Sequence, residues 1–382
     1  MTNARAHPLA GAIERVAHRT QSCDHFFAEL SGEVAKAVPF DGSIWLGVDP
    51  ATLLASAPVR IQNMDAAYCW PFWEAEFRDQ DAAQFRDLAR DPVPVTALRL
   101  ATDGRPRRSA RFRDFMEPQG YHDEARVAFR VGTTTWAVAA LYREKGRPAF
   151  TTGELRILRE TSRAVAIALR DHTLTRRRET VALRGPGVLL FDQNAGLVSA
   201  NVEAAEWLAQ IYGGHEASWK ELMTQGSSTE QLVLYPSLQP LVTRARAVAL
   251  GYDEGPVRSR VRDRSGRWVV LHASCLDATG SGMVAVVVEP AKSAEIAPII
   301  VEAYGLTPRE RELVRALARG LSTPEIAAEM FVSTHTVRDY VKSVFEKLAV
   351  SSRGELIAKL FADHYYDEFQ ASAVVTNSVG PD

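Results

Sequence analysis

The chain has 382 residues, of which 46% are hydrophobic and 24% charged, so it is long enough for two to four globular domains. It carries 45 Lys and Arg against 47 Asp and Glu, a formal charge of −2. This balance excludes a protein that coats nucleic acid or membrane by bulk charge, although a small basic module remains compatible with it. The three cysteines, Cys23, Cys69 and Cys275, fit neither a disulfide framework nor a zinc site and indicate a reducing compartment.

The distribution of apolar residues along the sequence indicates no targeting signal. No stretch reaches 18 apolar residues, so we expect no membrane span and no membrane partner. Residues Met1–Leu9 lack the apolar core of a secretory signal. We therefore expect a cytoplasmic protein.

Residues 1–180 alternate between helix and strand signals. Phe26, Phe27, Leu30 and Val34 recur on one face of a helix within residues 1–36. Further along, the pattern predicts strands at Ser43–Val48 and Val59–Gln62, a helix at Tyr68–Arg90, a loop at Pro92–Arg113, a β-hairpin at Arg126–Arg130 and Thr135–Arg143, and a helix at Thr151–Arg178. We interpret residues 1–180 as one α+β unit that ends in a long signalling helix.

A second unit over residues 185–292 begins at Gly185-Pro186-Gly187. The predicted elements are strands at Val188–Phe191 and Leu197–Ser199, a helix at Val202–Ile211, and strands at Arg258–Arg262, Trp268–Ser274 and Met283–Val288. This order is typical of an α+β sensor domain with an antiparallel sheet. A short linker helix is predicted at Ala294–Tyr304, within residues 293–305.

Residues 306–365 carry the strongest local signals, and residues 366–382 form a tail. Thr307–Glu310 and Ser322–Glu325 are two capping boxes, each with a proline at the start of its helix. Ser333 can cap a third helix, and Ser351-Ser352-Arg353 begins a fourth. We expect an all-α, four-helix domain. Its inward residues are predicted to be Leu313, Val314, Leu317, Ile326, Ala327, Met330, Val337, Val341, Val344 or Phe345, Leu348, Leu356, Ile357 and Leu360.

The second and third of these helices form a predicted helix-turn-helix. His335, Arg338 and Lys342, with Asp339 beside them, point away from the apolar stripe of the third helix. Arg and Lys on such a face can donate to guanine O6 and N7 in the major groove of double-stranded DNA. Hydroxyl and basic groups near the helix ends can hold phosphates, and the candidates are Thr323, Thr334, Thr336, Tyr340, Lys347 and Arg353.

The residues of this segment resemble a known family. Leu306–Glu310, Gly320–Ser322, Glu325–Ala327, Thr336–Arg338 and Lys347–Arg353 together are similar to the LuxR/FixJ-type DNA-binding domain, over about 56 residues. The resemblance implies that Arg338, Asp339 and Lys342 face the bases and that Thr336 supports a contact to the DNA backbone. Asp339 departs from the usual apolar residue, and Tyr340 stands where histidine is frequent. The DNA target therefore cannot be borrowed from the family, since Asp339 can accept from cytosine N4 but cannot pack on a thymine methyl group.

The rest of the chain resembles sensor domains. Val38–Asp41, Asp49–Thr52, Gln119–Tyr121, Trp136 and Phe150-Thr151 look like parts of a GAF domain, and Leu190–Asp192, Ser199–Asn201 and Asp263–Gly266 look like parts of a PAS domain. These resemblances imply antiparallel sheets flanked by helices, which can hold small molecules or simply dimerise. The predicted fold class is multidomain α+β, with GAF-like and PAS-like units before the helical domain.

Aromatic residues are dense in the first unit. Trp45, Tyr68, Trp70, Trp73, Phe77, Tyr121 and Trp136 could line a pocket for a small apolar ligand, although a filled core is the simpler interpretation. His122, His172, His215 and His272 show no metal-ligand spacing, so we expect neither a metal nor another cofactor. The phosphate-binding loop G-x-x-x-x-G-K-[ST] and the hydrolase motifs G-x-S-x-G and H-E-x-x-H are absent, and we expect no enzyme activity.

Three functional hypotheses remain at this point. The first is a sequence-specific transcriptional regulator that acts as a homodimer, paired through the helix Thr151–Arg178 or through Leu356 and Leu360. The second is a regulator that sequesters a protein partner through its sensor units and binds DNA weakly. The third is a small-molecule enzyme fused to a DNA-binding tail. Residues 306–361 hold nine basic and seven acidic residues, so their charge alone does not identify a DNA-binding domain.

Overall fold

The computed structural model describes residues 8–20, 23–65, 68–78, 80–174, 185–213, 238–277, 280 and 282–359. The chain divides into two compact units, Met1–Pro290 and Ala291–Asp382. The first contains both predicted sensor regions, and the second contains the predicted linker helix and the helical domain. Several predicted features lie outside the described residues: the end of the signalling helix at Arg176–Arg178, His215, Leu360 and the tail at 366–382.

The N-terminal part of the first unit is built on a five-stranded antiparallel sheet with the order β2-β1-β5-β4-β3. Its strands are β1 (Gly42–Val48), β2 (Ala55–Gln62), β3 (Val95–Ala97), β4 (Tyr121–Val131) and β5 (Thr134–Glu144). The predicted hairpin is confirmed as β4 and β5. Gly132 occupies the turn with a φ of +61°, a conformation that favours glycine.

Helices cover both faces of this first sheet. One face packs against α2 (Cys23–Ala37) and α6 (Thr152–Leu174), and α1 (Pro8–Arg19) packs on these two helices. The other packs against α3 (Cys69–Phe77), α4 (Phe85–Leu88), α5 (Leu98–Ala101) and three short turns at Pro106–Arg108, Phe112–Met116 and Glu117–Gln119. Ile44 and Leu46 belong to the core of this second face. Because side chains alternate along a strand, Trp45 between them points to the opposite face.

Two sequence predictions for this region are corrected. The predicted helix Tyr68–Arg90 is interrupted, because Ala83 has a left-handed φ of +61° that an α-helix cannot contain. The side-chain amide of Gln84 stabilises the break by donating to two carbonyls at the end of α3, at 3.0 and 2.9 Å. The predicted loop Pro92–Arg113 contains β3 and α5, since Val95–Ala97 pairs with β4.

The second sheet repeats the topology of the first. Its strands are β6 (Gly187–Phe191), β7 (Leu197–Ala200), β8 (Arg258–Arg262), β9 (Trp268–Cys275) and β10 (Val284–Pro290), in the order β7-β6-β10-β9-β8. Counted from the start of each sheet, both orders are 2-1-5-4-3. The helices α7 (Val202–Tyr212) and α8 (Leu238–Ala249) pack against this sheet. Asn201 caps α7 by accepting from the backbone N–H of Ala204 at 3.1 Å.

A buried ion pair joins the two sheets. The carboxylate of Asp49, at the end of β1, accepts from Arg260 on β8 at 2.7 and 2.5 Å, and both side chains are at most 1% exposed. The hydroxyl of Ser259 donates to the carbonyl of Ala55, so β8 also hydrogen-bonds to β2. Leu54 is part of the apolar core of the second sheet. The two predicted sensor regions are therefore packed into one compact unit.

The second unit consists of helices in its described part. They are α9 (Ser293–Ala303), α10 (Pro308–Ala318), α11 (Thr323–Glu329), α12 (Thr334–Leu348) and α13 (Arg353–Ile357). The predicted inward residues are buried at Leu313, Val314, Leu317, Ile326, Ala327, Met330, Val337, Val344, Leu348 and Leu356. Val341, Phe345 and Ile357 are only half-buried. The all-α domain predicted from the capping boxes is confirmed.

Candidate nucleic-acid interface

Side-chain caps fix where α10, α11 and α12 begin. Glu310 accepts from the backbone N–H of Thr307 at 2.7 Å, and Glu325 accepts from that of Ser322 at 2.7 Å. The hydroxyl of Ser333 accepts from the backbone N–H of Thr336 at 3.0 Å. All three predicted caps are confirmed. Because each cap satisfies amides that have no partner within the helix, it sets the first residue of that helix.

A tight turn connects α11 to α12. Phe331 occupies it with a left-handed φ of +54°, and its side chain is 94% exposed. The backbone N–H of Val332 donates to the carbonyl of Ala327 at 3.0 Å, which closes the end of α11. The two helices and this turn form the predicted helix-turn-helix. We call α12 the recognition helix.

The recognition helix exposes one polar face. His335, Arg338, Asp339 and Lys342 are all exposed, whereas Val337 on the opposite side is fully buried. Arg338 and Lys342 have no ion-pair partner among the described residues of the chain. The Nε2 atom of His335 lies 3.8 Å from the Oδ2 atom of Asp339, one turn further along the helix. Within the part of the chain that the structure describes, the face therefore offers two unpaired cations and one carboxylate acceptor to a ligand.

Four of the predicted phosphate contacts lie near this face. Thr323 and Thr334 are the first residues of α11 and α12, where backbone amides and the helix dipole favour an anion. Thr334 is exposed, whereas Thr323, Thr336 and Tyr340 are half-buried. The hydroxyls of Thr336 and Ser333 are 2.9 Å apart. Their contacts to DNA stay a prediction.

The other two predicted phosphate contacts have partners within the domain. The ammonium of Lys347 donates to the two carboxylate oxygens of Glu310 at 2.6 and 2.8 Å. The guanidinium of Arg353 donates to the carbonyls of Leu317 and Leu321 at 2.7 and 2.9 Å. These donors hold the two ends of α10 against α12 and α13, and the contacts of both residues to DNA stay a prediction.

Glu310 is the centre of this internal network. Its side chain is 5% exposed, and it also accepts from the hydroxyl of Ser343 at 2.6 Å. Burial opposes the charged form, but the hydrogen bonds from Lys347, Ser343 and Thr307 outweigh it and lower the pKa of Glu310 to about 2. The carboxylate is therefore ionised at neutral pH. The sequence indicated Glu310 only as a helix cap.

The seven aromatic residues predicted to line a pocket are distributed over more than one part of the core of the first unit. Trp45 points away from the others and stacks on Phe129, with ring centres 6.0 Å apart. Trp70 packs against the core of the second sheet, with Arg246 5.6 Å from its ring centre. Tyr68, Trp73, Phe77 and Tyr121 pack within or against the core of the first sheet, and Trp136 is buried. These residues thus pack in more than one core, and a ligand pocket among them stays a prediction.

Buried charges also fill the space beside these aromatic residues. The carboxylate of Glu124 accepts from Arg111 and Arg126, each at 2.9 Å, and Arg126 donates to Glu76 at 2.6 Å. The guanidinium of Arg126 lies 4.2 Å from the ring centre of Phe85. Burial opposes the charge of Glu124, but the two arginines outweigh it and lower the pKa of Glu124. An apolar ligand in this region would have to contact ionised groups, which is unfavourable.

Neither a metal site nor a membrane-spanning helix is found in the described part of the chain. No group of three or more His, Cys, Asp or Glu side chains there is placed to hold a metal ion. None of the described helices is both long and apolar enough to cross a bilayer. Cys23 and Cys275 are partly exposed thiols.

Sequence comparison links the helical domain to known proteins. The profile of the family "Bacterial regulatory proteins, luxR family" matches residues 305–360. The spore germination protein GerE of Bacillus subtilis is 40% identical over 55 residues, which are 14% of this chain and 74% of GerE. The probable transcriptional regulatory protein NarL of Mycobacterium tuberculosis is 37% identical over 76 residues, which are 20% of this chain and 32% of NarL.

Other matches are narrower or structurally distant. The transcriptional regulatory protein DesR of Bacillus subtilis is 43% identical over 58 residues, or 15% of this chain and 29% of DesR. The chain thus spans about a third or less of NarL and DesR. The crystal structure of a phage VqmA–DPO complex aligns with 47% of this chain and 83% of that chain at 17% identity. Its TM-score of 0.23 is too low to support a structural argument.

Proposed function

Because the chain belongs, through residues 305–360, to the LuxR family of bacterial regulatory proteins, we propose that it is a cytoplasmic, sequence-specific transcriptional regulator of double-stranded DNA. The observation that carries this proposal is the exposed face of the recognition helix. Arg338 and Lys342 stand on it without ion-pair partners among the described residues, on a helix whose start is fixed by the Ser333 cap. An α-helix has the right width for the major groove of B-DNA.

Each group on this face has a specific role in the proposal. Arg338 and Lys342 donate to guanine O6 and N7, and Asp339 accepts from cytosine N4. His335, one turn before Asp339, adds a further donor when protonated. Thr323, Thr334, Thr336 and Tyr340 hold the DNA backbone and set the register of the helix in the groove.

The first unit supplies regulation in this proposal. We assign its two sheets to a GAF-like domain and a PAS-like domain, supported by their antiparallel strands, their flanking helices and their shared 2-1-5-4-3 order. The buried ion pair of Asp49 and Arg260 makes the two domains respond together, because separating the sheets would break it. A ligand bound to either sheet would then act on both.

We further propose that the DNA-bound form is a homodimer, since one helix-turn-helix covers only a half-site. The surfaces predicted for pairing are corrected. Leu155, Leu158, Val165 and Leu169 on α6 are buried within the unit, and Leu356 is fully buried in the helical domain. The open groove beside Val341, Phe345 and Val350 is also lined by Arg338 and Lys342, so we assign it to DNA and not to a second copy.

Selection of duplexes from a random pool tests the proposed function. The full chain should enrich one two-fold-related motif, and the Arg338→Ala/Lys342→Ala variant should not. Light scattering of the complex should give two chains per duplex. Loss of all duplex preference, with tight capture of a protein partner instead, would favour a sequestering regulator. Substrate turnover would favour an enzyme with a DNA-binding tail.

A further inference from the structure

A basic cleft lies where β4 begins and β5 ends in the first sheet. Its volume is about 580 Å³, within the range of small-molecule sites. Five cationic side chains line it, and they come from three separate segments: Arg99, Arg105, Arg107, Lys145 and Arg147. Glu117 is the one carboxylate among the described residues that line it. The sequence predicts only a loop for most of this region, and the proposed DNA contacts do not involve it.

Two tight turns hold the cations in place. Asp103 and Gly104 have left-handed φ values of +49° and +75°, and the backbone N–H of Arg105 donates to the carbonyl of Thr102 at 3.0 Å. On the other side, Gly146 has a φ of +105°. The backbone N–H of Lys145 donates to the carbonyl of Gly120 at 3.1 Å. The positions from which these side chains extend are therefore set by the fold.

Only part of the positive charge is balanced by nearby carboxylates. Arg107 pairs with Glu117 at 2.8 Å, and Arg147 pairs with Asp41 at 2.7 Å. Arg105 and Lys145 have no carboxylate partner among the described residues. Two such cations facing one concave space repel each other unless an anion lies between them.

Arg99 and His122 also line the cleft. Arg99 donates through Nε to the carbonyl of His122 at 3.3 Å, which leaves its terminal nitrogens for a ligand. The Nε2 atom of His122 is buried and has no hydrogen-bond partner in the described part of the chain. Because this atom has almost no accessible surface, we assign it no contact to a ligand. Pro106 and Phe112 contribute apolar surface beside these groups.

We propose that this cleft binds a small phosphate-bearing ligand. Guanidinium groups match the geometry of phosphate oxygens, and ammonium groups add a compact charge. Arg105 and Lys145 neutralise the phosphates, Arg99 donates from its terminal nitrogens, and Pro106 packs against the carbon skeleton. A cleft suits a small ligand better than a DNA backbone, which follows an extended basic track.

Calorimetric titration of the full chain with inorganic pyrophosphate, at constant ionic strength, tests the inference. We expect one saturable site whose affinity falls about tenfold or more in Arg105→Gln/Lys145→Gln, because two charged donors are lost. The matched control, Lys36→Gln/Arg90→Gln, removes one exposed Lys and one exposed Arg outside the cleft and should bind as the unchanged protein does. Melting temperatures should be equal in both variants.

Three outcomes would overturn the inference. They are no binding at millimolar pyrophosphate, equal loss of affinity in the cleft variant and in the control, and, in a separate titration with duplex DNA, a loss of affinity in the cleft variant for DNA alone, which would make the cleft a contact for the DNA backbone. Arg99→Gln provides a second test, and unchanged pyrophosphate affinity in it would contradict the role of the terminal nitrogens of Arg99. The calorimetric assay contains no DNA, so its failure is distinguishable from failure of the proposed DNA-binding function.

Discussion

The buried carboxylate of Glu310 at the start of α10 accepts two hydrogen bonds from the ammonium of Lys347, 37 positions further along the chain near the end of α12. This contact joins the cap of one helix to the last turn of the recognition helix. It holds the exposed face of α12 in a fixed orientation relative to α10. The pair therefore fixes the orientation of the face that we propose to contact DNA.

Replacing Lys347 should destabilise the helical domain more than it changes charge-dependent DNA binding. In Lys347→Ala the buried carboxylate of Glu310 loses its cation, and we expect the opening free energy to fall by about 1–3 kcal/mol. Hydrogen exchange of peptides from residues 308–348 measures that free energy locally. Lys342→Ala, which removes an exposed cation from the same helix, is the matched control and should change exchange by less than about 0.5 kcal/mol.

The double variant Glu310→Gln/Lys347→Ala completes this test. If the two residues interact as the distances indicate, the double variant should be less destabilised than the sum of the single variants. Strict additivity would show that Lys347 has another role. In that case a reduced salt dependence of DNA affinity in Lys347→Ala would identify Lys347 as a phosphate contact.

The pKa of Glu310 gives a prediction about acid. Because this pKa is lowered to about 2, Glu310 stabilises the folded domain fully above its ordinary pKa of 4.5, and that contribution is lost as the pH falls from 4.5 toward 2. The carboxyl carbon shift of Glu310, in protein labelled with ¹³C at glutamate, should titrate near pH 2. In Lys347→Ala the midpoint should move toward 4.5. A midpoint near 4.5 in the unchanged protein would contradict the structure.

Substitutions on the recognition helix should alter both affinity and base preference. Arg338→Ala and Lys342→Ala should each cost about 1–3 kcal/mol of specific DNA affinity, because each removes donors to a base edge. Fluorescence anisotropy on the selected operator and on single-base variants measures both effects. Arg315→Ala removes an exposed cation from α10 and serves as the control. If all three variants lose affinity equally and keep the same preference, the assigned face is wrong.

The ion pair between the sheets should be essential for the first unit. Asp49→Asn removes the charge of the carboxylate that accepts two hydrogen bonds from the buried Arg260, and we expect a loss of about 3–5 kcal/mol of unfolding free energy. Lys36→Ala, which breaks an exposed ion pair with Glu33, should cost less than about 1 kcal/mol. Denaturant unfolding checks both values. A small effect of Asp49→Asn would show that the sheets are held together by their apolar contacts alone.

Local signals explain which parts of the fold could be predicted from the sequence. The capping boxes at Thr307 and Ser322 and the cap at Ser333 depend on residues three positions apart, so the helices of the second unit followed directly. Every strand of the two sheets except β3 was predicted from runs of β-branched residues between turn residues. The break at Ala83 was missed because its left-handed backbone depends on hydrogen bonds from Gln84, which no periodicity reveals.

Contacts between distant residues explain what could not be predicted. Arg260 lies 211 positions from Asp49, and nothing in the local pattern distinguishes it from an exposed arginine. The pairing of Lys347 with Glu310 could not be predicted for the same reason, since the two residues lie in different helices. The exposed residues at 335, 338, 339 and 342 were located correctly because helical spacing alone separates them from the buried Val337.

The division of the chain at Pro290 separates its intrinsic fluorophores. All seven tryptophans lie between residues 45 and 268, so residues Ala291–Asp382 contain none. Tryptophan emission therefore reports on the unit with the two sheets and is blind to the helical unit itself. Coupling between binding sites is reciprocal. If a ligand bound to the sheets alters operator affinity, binding of the operator must alter the state of the sheets as well. A change in tryptophan emission on addition of the operator, but not of a scrambled duplex, would reveal this coupling without a label and before any effector is known.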